Sequence, residues 1–249
     1  MPKLDVRFEQ TNQRIPIKFE EIRSAPARSD IDLYGLITRT ITEFSNSKIK
    51  EIGTSAFANA SLLASVNFPN VTNIGKSAFE SCVNLKTVSF PKATTIKQYA
   101  FSYCMMLRNI AFPKVTSIGT DAFQNCINLN SVVFPCVESV GSNAFRGSEY
   151  LKLADFPVVT SIASYAFYTC KKLASLLLRN TEEVCALTNK NALTSTLIAS
   201  GTGYIYVPSA LLESYKVATN WSAYAAQFRV LEEYTVDGTT TGELDKAKI

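Results

Sequence analysis

The sequence predicts an α/β solenoid of 22-residue rungs with a small capping unit at each end, on three observations. A phrase opening with Ile or Val recurs at Ile52, Ile74, Ile96, Ile118, Val140, Ile162 and Val184, each interval being 22 residues with neither insertion nor deletion. A fixed period of that length is the signature of a repeat architecture. Apolar columns run through the phrase: an Ala-Phe pair ending at Phe57, Phe79, Phe101, Phe123, Phe145 and Phe167, and a Leu at Leu63, Leu85, Leu107, Leu129, Leu151 and Leu173. A rung of a solenoid has only its neighbours to bury such residues against. The alternation Val66/Phe68, Val88/Phe90, Ile110/Phe112 and Val132/Phe134 has the two-residue period of a strand with one buried face.

At the N-terminus, the alternating runs Leu4 to Glu9 and Ile15 to Phe19, joined through Thr11, Asn12 and Gln13, predict a β-hairpin. A hairpin this small is marginal alone, so it is expected to pack on the solenoid end or on a partner. Residues 23–30 read as a linker, completing an N-terminal unit of residues 1–30. Ile41, Phe44 and Ile49 fall one period before Leu63, Val66 and Val71, so residues 31–51 read as a degenerate first rung, the form a cap should take.

Six regular rungs follow over 52–183. Pro69, Pro91, Pro113, Pro135 and Pro157 end their strands, because Pro has no N–H for the ladder. The segment after each Phe, such as Phe79 to Leu85, has room for a single helical or 3₁₀ turn. Past Leu178 the pattern decays, and residues 184–234 read as a C-terminal cap. A strand over Tyr204 to Val207 is stopped by Pro208, and a helix capped by the Ser209 hydroxyl runs to about Ala218. Thr219 or Asn220 caps a second short helix that sets Trp221, Tyr224 and Phe228 on one face. That face either covers the open edge of the last rung or forms a ligand site. Residues 235–249, with Asp237-Gly238 followed by three Thr, read as an exposed hairpin or a flexible tail.

At these columns the sequence resembles the BspA-like leucine-rich repeats, written L-x-x-V-x-F-P-x-V-T-x-I-G-x-x-A-F-x-x-C-x-x-L, over roughly Ile41 to Thr181. The resemblance implies a right-handed leucine-rich-repeat solenoid with a parallel β-sheet along one side. It also implies display on bacterial, protist or phage surfaces and binding of other macromolecules, and it carries no catalytic residues. Ser148 stands where other rungs have Cys, Ala163 replaces the Gly after Ile162, and Arg179 replaces the strand-ending Pro. The two ends, Leu4 to Glu9 and Thr235 to Gly238, resemble the ends of repeat proteins encoded in prophage tail regions of Gram-positive bacteria.

The composition excludes much chemistry. With no histidine, Ser-His-Asp and Cys-His nucleophiles, histidine bases and histidine metal sites are impossible. Glu80, Asp121, Glu138, Glu149 and Asp155 fall in different columns, so the repeat places no carboxylate pair for acid–base work. The glycines sit singly at rung corners and build no phosphate-binding loop. A net charge of +4 is mild, and no block is basic enough to predict nucleic-acid binding. Met1 to Ile22 is studded with charges, unlike a signal peptide, and no apolar stretch approaches the ~20 residues that span a bilayer. No enzyme activity, cofactor, metal site or membrane insertion is therefore expected.

Cys82, Cys104, Cys126 and Cys170 share a column in which Ala60 and Ser148 also stand, and the Ala suggests a small inward position. Rungs ~4.8 Å apart hold stacked Cβ atoms farther apart than the ~3.8 Å of a disulfide, so buried reduced thiols are expected. Ligands one rung apart on a single face also fail to surround a zinc ion. Cys136 and Cys185 are expected to be free as well.

What remains is surface. The outward columns of the strands, from Ser65 and Asn67 to Ser175 and Leu177, read as smooth, nearly uncharged and free of aromatics. Beside them runs a ribbon of Lys86, Arg108 and Lys152, either a solvated edge or an attraction for an anionic polymer. On the turn side Tyr99, Tyr103, Tyr165 and Tyr168 are exposed by register, in columns that other rungs fill with Ser, Thr, Gln and Asn. Tyr anchors protein and sugar interfaces because a large rigid surface is ordered at small entropic cost; the bland alternative is scattered surface Tyr. These seven residues are the candidate ligand-binding positions. The expected function is non-enzymatic recognition, adhesin-like or phage-tail-associated, of a protein or glycan on a cell surface, with the terminal segments available for homo-oligomer formation. The alternative is a structural component of a surface or virion assembly with no ligand of its own.

Overall fold

The computed structural model describes residues 3–6, 15–18, 42–108, 110–236 and 239–240. The linker at 23–30, the start of the first rung at 31–41 and the tail beyond 240 lie outside them. Lys3–Val6 pairs antiparallel with Ile15–Lys18, and Thr235–Val236 with Thr239–Thr240, so hairpin pairing is present at both ends of the chain.

Between these ends the chain stacks rung upon rung through two parallel ladders. The wider ladder comprises Glu43–Ser45, Ser65–Asn67 and Thr87–Ser89, then Ser131–Val133, Leu153–Phe156, Ser175–Leu178, Tyr204–Val207 and Phe228–Val230. The narrower one stacks two-residue strands at the opening residue of each rung from Glu51–Ile52 to Ser161–Ile162, and its last strand is Ala186–Leu187, where Ile162 pairs with Leu187 rather than with the expected Val184, so the 22-residue register ends there. Pairings such as Val66↔Val88 and Ile74↔Ile96 join equal columns of neighbouring rungs. Alternation then sends Val66, Phe68, Val132 and Phe134 inward, where all four are buried.

On the side opposite the wider ladder, each rung runs through tandem four-residue turns. In one rung these close through Ala78 N–H to Gly75 O at 3.2 Å, Glu80 N–H to Ser77 O at 3.1 Å and Cys82 N–H to Phe79 O at 3.1 Å. The third residues of the first and last turns, Ser77 and Ser81, have φ of 53° and 59°, which is the type II signature. Left-handed residues aim alternate N–H groups at the next rung: Ser77 to Gln98 O at 2.9 Å, Phe79 to Ala100 O at 2.7 Å and Ser81 to Ser102 O at 2.8 Å. In place of the helical or 3₁₀ turn expected after each Phe, the chain makes type II turns that form a hydrogen-bonded ladder, which satisfies buried backbone groups that a bare turn would orphan.

Two columns of phenylalanine fill the interior. Phe57, Phe79, Phe101, Phe123, Phe145 and Phe167 stack at 5.1 to 5.4 Å between ring centroids, their planes within 4°. Phe68, Phe90, Phe112, Phe134 and Phe156 form the second column at 5.5 to 6.1 Å. In the first rung Asn46 stands where the second column would place a Phe. Its Oδ1 accepts from Lys48 N–H at 2.8 Å and Ile49 N–H at 3.3 Å, while Phe44 closes the stack against Phe57 and Phe68 at 5.3 and 5.4 Å.

All six cysteines are free, five of them buried. Their column is small and inward, but its defining property is a donor. Cys82 Sγ donates to Phe57 O at 3.0 Å, Cys104 to Phe79 O at 3.1 Å, Cys126 to Phe101 O at 3.2 Å and Cys170 to Phe145 O at 3.0 Å. Ser148 Oγ does the same to Phe123 O at 3.1 Å. Burial pushes the thiols up, Cys82 and Cys185 to about 12 and Cys104, Cys126 and Cys170 also well above their ordinary value. Only a thiolate alkylates readily, so iodoacetamide on the native protein near neutral pH is expected to give a single adduct, at the exposed Cys136, when read by intact and peptide mass. A second adduct would mean that the rungs open.

The C-terminal cap closes the other end of the stack. A 3₁₀ turn at Ser209–Leu211 leads into helix α1, Leu212–Val217, and a second 3₁₀ segment occupies Trp221–Gln227. Neither expected side-chain cap forms. Pro208 occupies the first cap position, ahead of Ser209, and Asn220 (φ 64°) turns its Nδ2 to Leu187 O at 2.7 Å. The aromatic face lies over the last rung: Trp221 Nε1 donates to Cys185 O at 2.6 Å and Tyr224 Oη to Lys190 O. Cys185 N–H in turn donates to Tyr215 Oη at 2.9 Å. Tyr215, Trp221 and Phe228 pack mutually at 5.4 to 5.9 Å, so these rings are buried cap rather than ligand site.

Candidate ligand-binding surface

The turn edge carries the four candidate tyrosines. Tyr99, Asp121, Asn143 and Tyr165 occupy one column on successive rungs, with φ of 57°, 55°, 55° and 58°. Tyr103, Asn125, Gly147 and Thr169 occupy the left-handed column four residues on, with φ of 59°, 55°, 72° and 58°. A Cβ at Gly147 would lie 2.1 Å from Asn125 Oδ1, so a larger residue there would displace the Asn125 side chain. Tyr103 and Tyr165 are 39 % and 38 % exposed, and Tyr99 and Tyr168 are half-buried.

Asp121 and Arg146 stand on the two rungs between the tyrosine pairs. The Tyr99 hydroxyl donates to the carboxylate of Asp121, which is only 7 % exposed and lies beside the positive charge of Arg146. Burial pushes the Asp121 carboxyl above its usual range, against both of those partners. The Arg146 guanidinium lies over the Tyr168 ring, 5.4 Å from its centroid, and Tyr168 meets Tyr165 edge to face at 5.5 Å and 83°. A line of contacts therefore runs from Arg146 through Tyr168 to Tyr165, and Asp121, with Tyr99, feels the Arg146 charge from the preceding rungs. Columns read singly hide it, because Arg146 and Tyr168 belong to a third column.

The basic ribbon divides. Lys86 and Arg108, on adjacent rungs, line a depression of about 280 Å³ with Thr87 and Met106. Lys152 does not line it; Asn130 lies between, its N–H bonded to Arg108 O at 3.2 Å and its own carbonyl to Lys152 N–H at 2.8 Å.

The face of the wider ladder departs from expectation at its C-terminal end. Ser175 pairs with Tyr204, Leu177 with Tyr206, and Tyr206 with Arg229, so the outward columns there end in Tyr204, Tyr206 and Arg229. Arg229 lies 4.3 Å from the Tyr204 ring centroid, and Tyr206 contacts Tyr234 at 4.8 Å. Leu177 and Asp155 are buried on this face, and Asp155 Oδ1 accepts from Arg179 Nε at 2.8 Å. The alternation Tyr204-Ile205-Tyr206-Val207 signalled a strand; its return to the same sheet after more than one period was the missing step. Among the described residues no group of three or more His, Cys, Asp or Glu is placed to hold a metal ion, and no helix is long and apolar enough to cross a membrane.

These features define a leucine-rich-repeat solenoid with a constant interior and a variable exterior. A family model for the BspA type leucine rich repeat region matches six copies, over residues 36–152 and 94–206, and the chain belongs to that family. The solved structure of a leucine rich repeat protein from T. pallidum is 31 % identical, with a TM-score of 0.55, over 59 % of this chain and 73 % of that one. Leucine-rich repeat proteins from Eubacterium ventriosum (22 % identity, TM-score 0.56) and Bacteroides ovatus (24 %, 0.52) share the fold over 64 % and 65 % of this chain. The chain spans 44 % and 48 % of the length of those two proteins. No curated protein matches the sequence.

Proposed function

We propose that the chain is a non-enzymatic recognition scaffold, displayed on a cell surface or a phage tail, that binds a macromolecular ligand through the turn-edge tyrosines. One observation carries the reading: Tyr99, Tyr103 and Tyr165 are bulky residues held at positive φ. The left-handed conformation costs an ordinary L-residue roughly 1–2 kcal/mol, and Gly or Asn fills such positions more easily. Other rungs fill these columns with Asn125, Asn143 and Gly147, and also with the small or polar Ser77, Ser81, Asp121 and Thr169. Folding stability therefore gives no reason for Tyr at three of these positions, and strain held in an exposed aromatic is what a binding surface explains.

The test is a panel of bacterial surface glycans and host matrix proteins at low and physiological salt, probed with the parent and with a variant carrying Tyr99→Ser, Tyr103→Ser, Tyr165→Ser and Tyr168→Ser. Retention that survives physiological salt and falls at least tenfold in the variant is expected. Retention unchanged in the variant overturns the assignment. Retention abolished by salt alone moves the site to Lys86 and Arg108, because exposed charges are screened.

A further inference from the structure

We infer that the ligand of this edge is an uncharged oligosaccharide lying parallel to the solenoid axis, an inference that rests on reading the strip as a binding surface. Four successive rungs present Tyr99, Asp121, Asn143 and Tyr165 in a straight row. At ~4.8 Å per rung the row is ~14 Å long, comparable with about three extended pyranose rings. A linear ladder of this pitch suits a linear polymer laid along it.

The groups on the row have matching chemistry. Aromatic faces stack on the C–H faces of a sugar ring, and the planar fork of Arg146 presents paired donors to adjacent hydroxyls. Asn143 both donates and accepts. Asp121, only 7 % exposed, takes its place in the row between Tyr99 and Asn143, and the Arg146 guanidinium lies against Tyr168, which in turn meets Tyr165. Rings and fork are thus ordered before a ligand arrives, which lowers the cost of binding. Asp121 and Arg146 bring one negative and one positive charge to the strip, so it carries no net charge to attract an acidic or a basic polymer.

A protein partner fits less well. Standard protein interfaces bury about 800 Å² per side around an apolar anchor cluster. The row is narrow, and short polar side chains, Thr120, Ser142 and Ser164, flank it one residue before each of its last three positions.

The probe is a printed array of neutral and acidic oligosaccharides two to eight rings long, with host matrix proteins on the same slide. It is read with the full chain, with Arg146→Lys and with the four-Tyr variant. Neutral glycans are expected to be retained, with signal rising to about three or four rings and then levelling, insensitive to salt. Retention should fall several-fold in Arg146→Lys, which keeps the charge but loses the fork, and at least tenfold in the four-Tyr variant. Retention of acidic glycans alone or of matrix proteins alone, still lost with the tyrosines, overturns this inference and leaves the binding surface standing. Retention of nothing, or retention indifferent to the tyrosines, overturns both.

Discussion

Replacing Phe123 by Ala is expected to destabilise the solenoid by about 3–5 kcal/mol and to split its unfolding. The ring lies 5.3 Å from Phe101 and 5.4 Å from Phe145 in its own column, and 6.1 Å from Phe112 and Phe134 in the other. A solenoid is stabilised by coupling between neighbouring rungs, so a cavity in the middle of the stack weakens two interfaces at once. The single tryptophan, Trp221, is buried in the C-terminal cap. Its fluorescence reports that end, while circular dichroism averages over the rungs. In urea the two signals should coincide for the parent and separate for Phe123→Ala. Coincident transitions in the variant would show that the stack unfolds as one unit despite the gap.

The second large effect is expected at Asp155. Asp155→Ala leaves Arg179 with its guanidinium mostly enclosed, its Nε partner gone and its Nη2 already without one. Breaking such a pair from one side costs about 3–5 kcal/mol, because the surviving charge is uncompensated, and a chain of this size should lose about 10 °C in Tm. Arg179→Ala in the same background should restore part of the loss, since a double-mutant cycle removes the stranded charge. A double variant whose loss equals the sum of the two single losses would show that the pair is not coupled. The same site explains why Arg179 replaces the strand-ending Pro: a side chain is needed there to meet the buried carboxylate.

The core of this fold was legible because the repeat printed it many times over. Phe57 through Phe167 and Leu63 through Leu173 declare their burial by recurrence alone. The left-handed positions were harder, since no Gly column marks them. Their trace is the mixture of Asn59, Asn125 and Gly147 in one column and Asp121 and Asn143 in the other, residues that tolerate positive φ. Ala60 directed attention to the size of the cysteine column, whereas Ser148 held the better clue, a shared donor. Ser209 and Asn220 were plausible caps by type, yet Pro208 takes the first cap position and a rung carbonyl claims Asn220. The Arg146–Tyr168–Tyr165 contacts were invisible to column statistics because they cross columns, and side-chain reach across neighbouring rungs is set in three dimensions.

Because equal columns pair with the residue 22 positions on, the backbone ladder is indifferent to which rung follows which. A gene that loses or duplicates a stretch encoding one whole period, by unequal crossing-over between its own near-identical segments, still specifies an unbroken ladder. Heredity thereby holds a ruler marked in rungs. The distance separating Tyr99 from Tyr165 can lengthen or shorten by whole steps without a new core having to evolve. For such a chain, changing the length of what it grips is easier than changing how it folds.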